Sequence, residues 1–169
     1  LVTDGIDVAL RTTVGNSESV VARELGSFER RLYAAPEYLR MHGVPDSPQA
    51  LHQHHAVTHT AQGPSVTWAF RKSGRKMDVT VRPQLAASTS ALVHHALVAG
   101  AGIGMLSRPL AAADVASGRL VEILAPFASG AAYTMFAVSL PSRRNAARVK
   151  AVIDFLQEVA HQRWALTSA

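Results

Sequence analysis

The stretch between residues 88 and 109 constrains the fold of this chain more than any other feature. It begins with three hydroxyl residues, Ser88-Thr89-Ser90, whose oxygens can cap the first turn of a short apolar helix. Gly100 is placed to end that helix in the left-handed conformation of a C-terminal cap, and residues 102–106 are typical of a buried strand. The predicted order is therefore helix, glycines, strand.

This order separates two kinds of ligand site. A dinucleotide fingerprint has its glycines after a strand and before a helix, so that the pyrophosphate meets the helix N-terminus. Here Gly100, Gly102 and Gly104 follow a helix and precede a strand, so we expect them to let helix and strand pack tightly and not to hold phosphate. The free N–H groups and the helix dipole converge instead at Ser88-Thr89-Ser90. The pattern favours a small-molecule site over a nucleotide cofactor site.

Composition excludes several classes of protein. The chain has 169 residues, of which 48% are hydrophobic, enough for one domain or two small ones. It has no Cys, which excludes disulfides, thiolate zinc sites and Cys nucleophiles and is consistent with a reducing cytosol. No apolar run is long enough for a membrane span and no signal peptide is visible, so we expect a cytoplasmic protein without a membrane partner. Because the first residues lack an initiator Met and lead directly into a strand pattern, the chain is expected to begin inside a larger protein.

The positive charge is dispersed. The formal net charge is +5, carried by 14 Arg and 3 Lys against 12 acidic residues. A nucleic-acid interface usually shows a denser basic stripe with aromatic residues between the charges. We therefore interpret these bases as solvated surface charge, and expect this segment to bind DNA only weakly, without sequence preference and in a salt-sensitive way. The adjacent basic pairs are Arg30-Arg31, Arg71-Lys72, Arg75-Lys76 and Arg143-Arg144.

Strand and helix patterns alternate, which predicts an α/β architecture with a largely parallel sheet. The predicted strands cover residues 6–11, 20–25, 30–34, 56–59, 119–124 and 133–140, with the second and third separated at Gly26-Ser27. Helices are predicted after Pro36, after Pro48 and at the C-terminal end, where Val149, Val152, Ile153, Leu156 and Val159 recur at helical spacing. Residues 67–70 and 77–81 flank Ser73-Gly74-Arg75, which predicts a hairpin.

Taken in order, these pieces resemble the effector-binding domain of LysR-type transcriptional regulators, and the resemblance covers nearly the whole chain. The matching segments are 4–11, Leu25-Gly26, 32–39, Trp68 and Phe70 before Gly74, 100–106, 118–121 with Leu124, and Val149 and Val152 with 153–156. The resemblance implies two Rossmann-like subdomains joined by two crossover strands, as in periplasmic binding proteins, with a small effector in the cleft between them.

The same resemblance implies a domain organisation. Residues 1–31 and 132–169 would form regulatory subdomain I, and residues 32–131 would form regulatory subdomain II. The winged helix-turn-helix DNA-binding domain, the linker helix and the opening β-α-β-α of subdomain I would be absent from this chain. One departure concerns the Gly-rich strand, which the family usually follows directly with Pro, whereas here Ser107 and Arg108 precede Pro109.

The effector site implied by the resemblance lies at strand ends and one helix N-terminus, where open α/β sheets bind ligands. Its candidate residues are Arg11, Thr12, Thr13, His59, Thr60, Ser88, Thr89 and Ser90. Each has a simpler interpretation as well. The three hydroxyls before the helix can act only as caps, Thr12 and Thr13 can be turn residues, and Arg11 can be a surface residue at a strand end.

The remaining candidates for chemistry are weak. His52, His54, His55 and His59 are the densest group of possible metal ligands, but they lack a helical ligand spacing and a carboxylate partner. We therefore predict no metal and no cofactor. Ser107 does not lie in a nucleophile elbow and the acidic residues are dispersed, so we predict no catalytic residues. His94 and His95 point to different sides of their helix, and Trp68 with Phe70 is expected in the core.

The sequence thus indicates a ligand sensor and not a catalyst. The expected ligand is a small anionic metabolite, a carboxylate, because a helix N-terminus and an arginine both favour negative charge. The expected partners are a second copy of the chain, as homodimer or homotetramer, and DNA, bound through the missing N-terminal domain. Two alternatives stay open at this point: a solute-binding protein of similar fold, and an amidohydrolase-like metalloenzyme built on the histidine cluster.

Overall fold

The chain folds into two compact units. The computed structural model describes residues 5–12, 20–59, 64–129, 132–141 and 146–164. Unit 1 comprises residues 1–28 and 132–169, and unit 2 comprises residues 29–131. Strand β2 (Val21–Ala34) carries the chain from unit 1 into unit 2, and the chain returns to unit 1 at residue 132.

Unit 1 contains strand β1 (Val8–Arg11), the first half of β2, strand β10 (Ala132–Ser139) and helix α4 (Ala147–Trp164). Strand β10 lies between β1 and β2, and β1 pairs with it in antiparallel register, with Arg11 opposite Phe136. Helix α4 packs its apolar side against Leu25 and Ala137, which confirms the predicted C-terminal helix.

Unit 2 is built on a mixed sheet in the order β8-β2-β7-β3-β6, to which β2 contributes its second half. Strands β3 (Ala56–His59), β6 (Pro83–Ala87) and β7 (Ile103–Ser107) are parallel. Strand β2 is antiparallel to β7 and to β8 (Val121–Ile123), so only three strands form the parallel part that the sequence predicts. The bounds of the helices are α1 Pro36–His42, a 3₁₀ helix Pro48–Gln53, α2 Ser90–Val98 and α3 Arg108–Ala116.

Both faces of this sheet are covered. On one face Tyr33, Val57 and Leu106 pack with apolar residues of α2 and α3. On the other face alternate residues of the same strands, such as Leu32 and Ile103, pack with α1, the 3₁₀ helix and a small second sheet. Because successive side chains of a strand point to opposite faces, the same strands contribute to the cores on both sides of the sheet.

The second sheet of unit 2 has the order β5-β4-β9 and contains the predicted hairpin. Strands β4 (Val66–Lys72) and β5 (Arg75–Val81) pair in antiparallel register around a two-residue turn, and β9 is Ala128–Ser129. Ser73 and Gly74 have φ values of 49° and 78°, as a tight hairpin turn of the primed type requires. Trp68 and Phe70 are buried, which confirms their assignment to the core.

One sequence-based expectation is wrong, and two elements were not predicted. The predicted break at Gly26-Ser27 is wrong, because β2 runs without interruption through both residues beside β10. The sequence patterns also miss strand β6 and helix α3. The side chains of β6 are mostly exposed and show no apolar alternation, and α3 begins directly at the end of β7 without a loop to mark it. Among the described residues no helix is both long and apolar enough to cross a membrane.

Candidate ligand site at the strand ends of unit 2

The parallel strands of unit 2 end at one side of their sheet, which we call the carboxyl edge. It consists of His59 at the end of β3, Ala87 at the end of β6 with residues 88–90 after it, and Ser107 at the end of β7 with Arg108 after it. His59 is directly opposite Ala87 in the parallel register, so Ser88, Thr89 and Ser90 follow from the position beside His59. The structure therefore brings His59 and the three hydroxyl residues of α2 to the same edge.

Thr89 is the N-cap of α2. Its backbone is extended, with φ −133° and ψ 150°, and its Oγ1 accepts a hydrogen bond of 3.2 Å from the amide of Leu92. The amide of Val93 donates to the carbonyl oxygen of Thr89, which closes the first helical turn. One of the three candidate hydroxyls is thus committed to the helix, while Ser88 and Ser90 are exposed on either side of it.

The first turn of α2 keeps donors for a ligand. The amides of Ser90 and Ala91 precede the first intrahelical hydrogen bond and have no acceptor within the helix. Leu92 is satisfied by the threonine cap, so these two amides and the neighbouring serine hydroxyls form the anion-favouring end of the helix.

The other end of α2 confirms the role predicted for the glycines. Gly100 has φ 77°, and the amides of Gly100 and Ala101 donate to the carbonyl oxygens of Leu97 and Ala96 in a Schellman arrangement. A Cβ on Gly104 would lie 2.5 Å from the carbonyl oxygen of Val57 and 3.2 Å from the side chain of Leu97. Only glycine lets β7 approach β3 and α2 this closely.

The remaining predicted residues are less constrained by the structure. Arg11 is the last residue of β1 in unit 1, partly buried, and Thr12 follows it as an exposed residue. Thr13 and Thr60 lie outside the described residues. The assignment of these four residues to an effector site stays a prediction, as does that of His59 and the three hydroxyl residues 88–90.

Sequence reasoning missed a charge cluster around the buried Asp114 side chain, which joins α2 to α3. The Asp114 side chain on α3 is only 5% exposed, with its Oδ2 2.5 Å from His94 Nε2 and its Oδ1 2.6 Å from Arg119 Nε in an ion pair. The hydrogen bond from His94 and the nearby Arg119 hold the pKa of Asp114 below its usual range. His94 lies one helical turn after Ser90, so the cluster fixes the helix that carries the candidate site.

No local signal in the sequence could have found this cluster, because Asp114 lies in an alanine-rich helix 20 residues from His94. The expectation that His94 and His95 face different ways is confirmed. His94 meets Asp114, whereas His95 is exposed and its Nδ1 lies 2.7 Å from the carbonyl oxygen of Ala91.

The histidines of the predicted cluster lie in two places, because His59 at the carboxyl edge is separate from His54 and His55. His54 and His55 lie near Tyr38, whose hydroxyl accepts from the amide of His55 at 2.9 Å and lies 3.2 Å from His54 Nδ1. His42, which the sequence did not single out, stacks on the same ring at 4.3 Å. Burial, together with the neighbouring His42 and His55, lowers the pKa of His54. In the described part of the chain no three His, Cys, Asp or Glu residues are grouped as metal ligands.

Comparison with known proteins identifies the family. A family model described as the LysR substrate binding domain matches residues 1–161. The chain belongs to the LysR substrate-binding-domain family. Its fold is therefore the periplasmic-binding-protein-like α/β fold of LysR regulatory domains, as the resemblance implies.

Relatives of this LysR domain are named as regulators. It is 31% identical over 153 residues to the HTH-type transcriptional regulator CrgA of Neisseria meningitidis serogroup C, covering 90% of this chain and 51% of the relative. It is 29% identical over 157 residues to the probable regulator LtrA of Klebsiella pneumoniae, covering 92% of this chain and 51% of the relative. The chain thus spans about half the length of these relatives.

Solved structures agree with the relatives. The regulatory domain of CrgA from Neisseria meningitidis superposes with a TM-score of 0.83 at 30% identity, covering 95% of this chain and 78% of that one. Full-length AphB of Vibrio cholerae gives a TM-score of 0.75 at 26% identity, covering 91% of this chain and 52% of that one. CrgA is named as a LysR-type transcriptional regulator and AphB as a virulence activator of the LTTR family, which agrees with the prediction of a regulatory domain and not an enzyme.

Proposed function

We propose that this chain is the effector-sensing region of a longer LysR-type transcriptional regulator and that its effector is a small carboxylate. The observation that supports this most directly is the first turn of α2. There the capping hydroxyl of Thr89 leaves the amides of Ser90 and Ala91 for an external acceptor. A carboxylate bound there would be favoured by the helix dipole and by direct hydrogen bonds.

The surroundings of this turn support a small ligand. Ser88 and Ser90 add two exposed hydroxyls, and His59 stands beside them at the end of the adjacent parallel strand. Hydroxyls and an imidazole can donate to both oxygens of a carboxylate, which one helix end alone cannot orient. Arg11 and Thr12 of unit 1 stay candidate effector residues, as the resemblance implies.

We propose that different parts of the longer protein bind the effector and the DNA. Effector binding would change the relative stability of two conformational states of the regulator. A winged helix-turn-helix domain outside this chain would read DNA, and a homodimer or homotetramer in the cytoplasm would present two or four such domains. Residues 1–31 with 132–169 and residues 32–131 are proposed as its two regulatory subdomains.

The ligand class can be tested by thermal-shift assays with matched small molecules. We expect acetate, succinate or benzoate to raise the melting temperature of the regulator, whereas amines and neutral amides of the same size have no effect. Binding of the best carboxylate is then measured by calorimetry in Ser90→Ala and Ser88→Ala variants. Loss of a hydrogen bond to a charged group weakens binding by about 1–2 kcal/mol, which is roughly 5–30-fold.

Ser117→Ala is the matched control, because Ser117 is an exposed hydroxyl residue at the C-terminal end of α3, at the other end of that helix from the carboxyl edge. Its affinity should equal that of the unchanged protein. Equal affinity in Ser88→Ala, Ser90→Ala and Arg11→Ala would remove this site. A preference for amines over carboxylates would overturn the proposed ligand class.

A further inference from the structure

The tip of the hairpin formed by strands β4 and β5 carries a concentrated positive charge. The two basic pairs, Arg71-Lys72 and Arg75-Lys76, are separated only by the turn residues Ser73 and Gly74. Because the turn reverses the chain, the structure brings all four cations to one tip, where every one of them is exposed.

The register makes these charges oppose one another. Arg71 is directly opposite Lys76, and Lys72 is directly opposite Arg75. Like charges at directly opposite positions of an antiparallel pair are destabilising. Charge repulsion therefore destabilises the folded tip, and formation of the hairpin does not require these four cations.

No acidic residue within the described part of the chain forms an ion pair with these four side chains. The nearest carboxylate on the hairpin belongs to Asp78, which is opposite Ala69, two residues from Lys76 on the same face. Lys72 has a different neighbour, since its Nζ lies 4.5 Å from the centre of the Phe127 ring. An external anion would relieve the repulsion that the chain leaves in place.

The cations occupy both faces of the hairpin. Lys72 and Arg75 border a cavity of about 460 Å³ with Met77 and Phe127. Arg71 and Lys76 border a second cavity of about 270 Å³ on the other face, which Asp78 also lines. A single small anion in one cavity would neutralise only one pair, whereas a chain of phosphates passing the tip can contact both.

We propose that the tip of the β4–β5 hairpin binds the phosphate backbone of DNA, as a second and sequence-independent contact of the regulator. The inference rests on the proposed function in one respect, because it requires a longer protein that binds DNA. Backbone contacts of this kind add affinity through counterion release and carry no sequence information. They would hold the regulator on DNA that flanks its recognition site.

The test uses the full-length regulator and an Arg71→Gln/Arg75→Gln variant, which removes one cation from each opposing pair. The matched control is Arg82→Gln/Lys150→Gln. It changes the net charge equally at exposed positions that have no ion pair with the described residues. Binding to a fluorescein-labelled duplex of random sequence, about 30 bp long so that it exceeds the site of a single reading head, is followed by fluorescence anisotropy between about 50 and 200 mM NaCl.

We expect the slope of log K against log salt to become shallower by about 1.8 in the hairpin variant, the value for two lost phosphate contacts. Affinity at about 100 mM NaCl should fall roughly tenfold or more on the same account. The melting temperature should stay unchanged or rise, because two repulsive pairs are relieved, so reduced binding cannot be attributed to unfolding.

Equal slopes in the hairpin variant and the control would overturn the hairpin contact while leaving the sensor function intact. The hairpin contact with DNA is also overturned if the variant loses affinity for poly-glutamate but keeps its affinity for DNA, because the partner would then be an acidic protein. If the unchanged regulator binds no DNA, both the hairpin contact and the proposed function fail.

Discussion

Helices α2 and α3 both begin at the carboxyl edge of unit 2, each directly after a parallel strand, and their first turns differ. In α2 the Thr89 hydroxyl caps the helix and two amides stay available. In α3 the N-cap Ser107 makes no side-chain cap, Arg108 opens the helix, and Pro109 has no amide hydrogen to offer. The anion-favouring end is therefore α2, and α3 serves to hold it.

Helix α3 holds α2 through the charge cluster around Asp114. Asp114 meets His94 of α2, and its own carbonyl oxygen accepts from the amides of Arg119 and Leu120 at 2.8 and 3.1 Å. The contact with Asp114 fixes the orientation of α2 away from its N-terminus, so the first-turn amides of α2 can stay available. Each of the following predictions removes one part of this arrangement.

The largest effect is expected at Gly102, directly before strand β7, which lies between α2 and α3 along the chain. Gly102→Ala would place a Cβ 2.2 Å from the carbonyl oxygen of His55 at a φ of 155°. We expect a loss of about 4 kcal/mol or more in unfolding free energy, and a fall of about 10 °C in melting temperature. Gly118→Ala is the control, because Gly118 has a positive φ but a Cβ added there would have no atom within 4 Å, and it should cost only about 1 kcal/mol. Equal melting temperatures for the two variants would contradict this packing argument.

The second effect concerns the cluster between the helices. Asp114→Asn removes the charge that His94 and Arg119 share, so the melting temperature at pH 7 should fall by about 5 °C or more. Asp154→Asn is the control, since its pair with Arg23 is half-exposed and surface pairs contribute little. A larger fall in melting temperature for Asp154→Asn than for Asp114→Asn would show that the cluster has no special role in stability.

The same cluster predicts a pH dependence with a defined sign. The pKa of Asp114 is lowered in the folded chain, so its ionised form stabilises the fold above the ordinary value of 3.8. That stabilisation is lost as the pH falls below 3.8 and through the lower folded pKa. The difference in melting temperature between the unchanged chain and Asp114→Asn should therefore shrink as the pH falls from about 5 towards about 3. A difference that grows over this range would reverse the assignment.

The smallest effect compares the two helix caps directly. Thr89→Ala should cost about 1 kcal/mol in unfolding free energy, because the hydrogen bond to the amide of Leu92 is lost. Ser107→Ala should be close to neutral, since its hydroxyl makes no capping bond. Urea unfolding of the two variants measures the difference. Equal costs would show that the two N-termini are alike and would weaken the case for α2 as the ligand end.

Local signals predicted the elements that surround the candidate site. The hydroxyl run Ser88-Thr89-Ser90 and Gly100 mark the two ends of α2, and Ser73-Gly74 marks the hairpin turn. These signals are reliable because caps and tight turns depend on backbone conformations that a few neighbouring residues decide. By contrast, β6 and α3 lack such marks, since β6 is largely exposed and α3 follows β7 directly.

The amino-acid sequence alone was sufficient for the order of most elements, for the helix end that can receive an anion, and for the family to which the chain belongs. The folded chain was needed to show which hydroxyl is the cap and how His94 and Asp114 meet. The physical reason is distance along the chain. Caps and turns involve residues within a few positions of each other, whereas charge pairing between helices and across strands depends on packing and register that no local window contains.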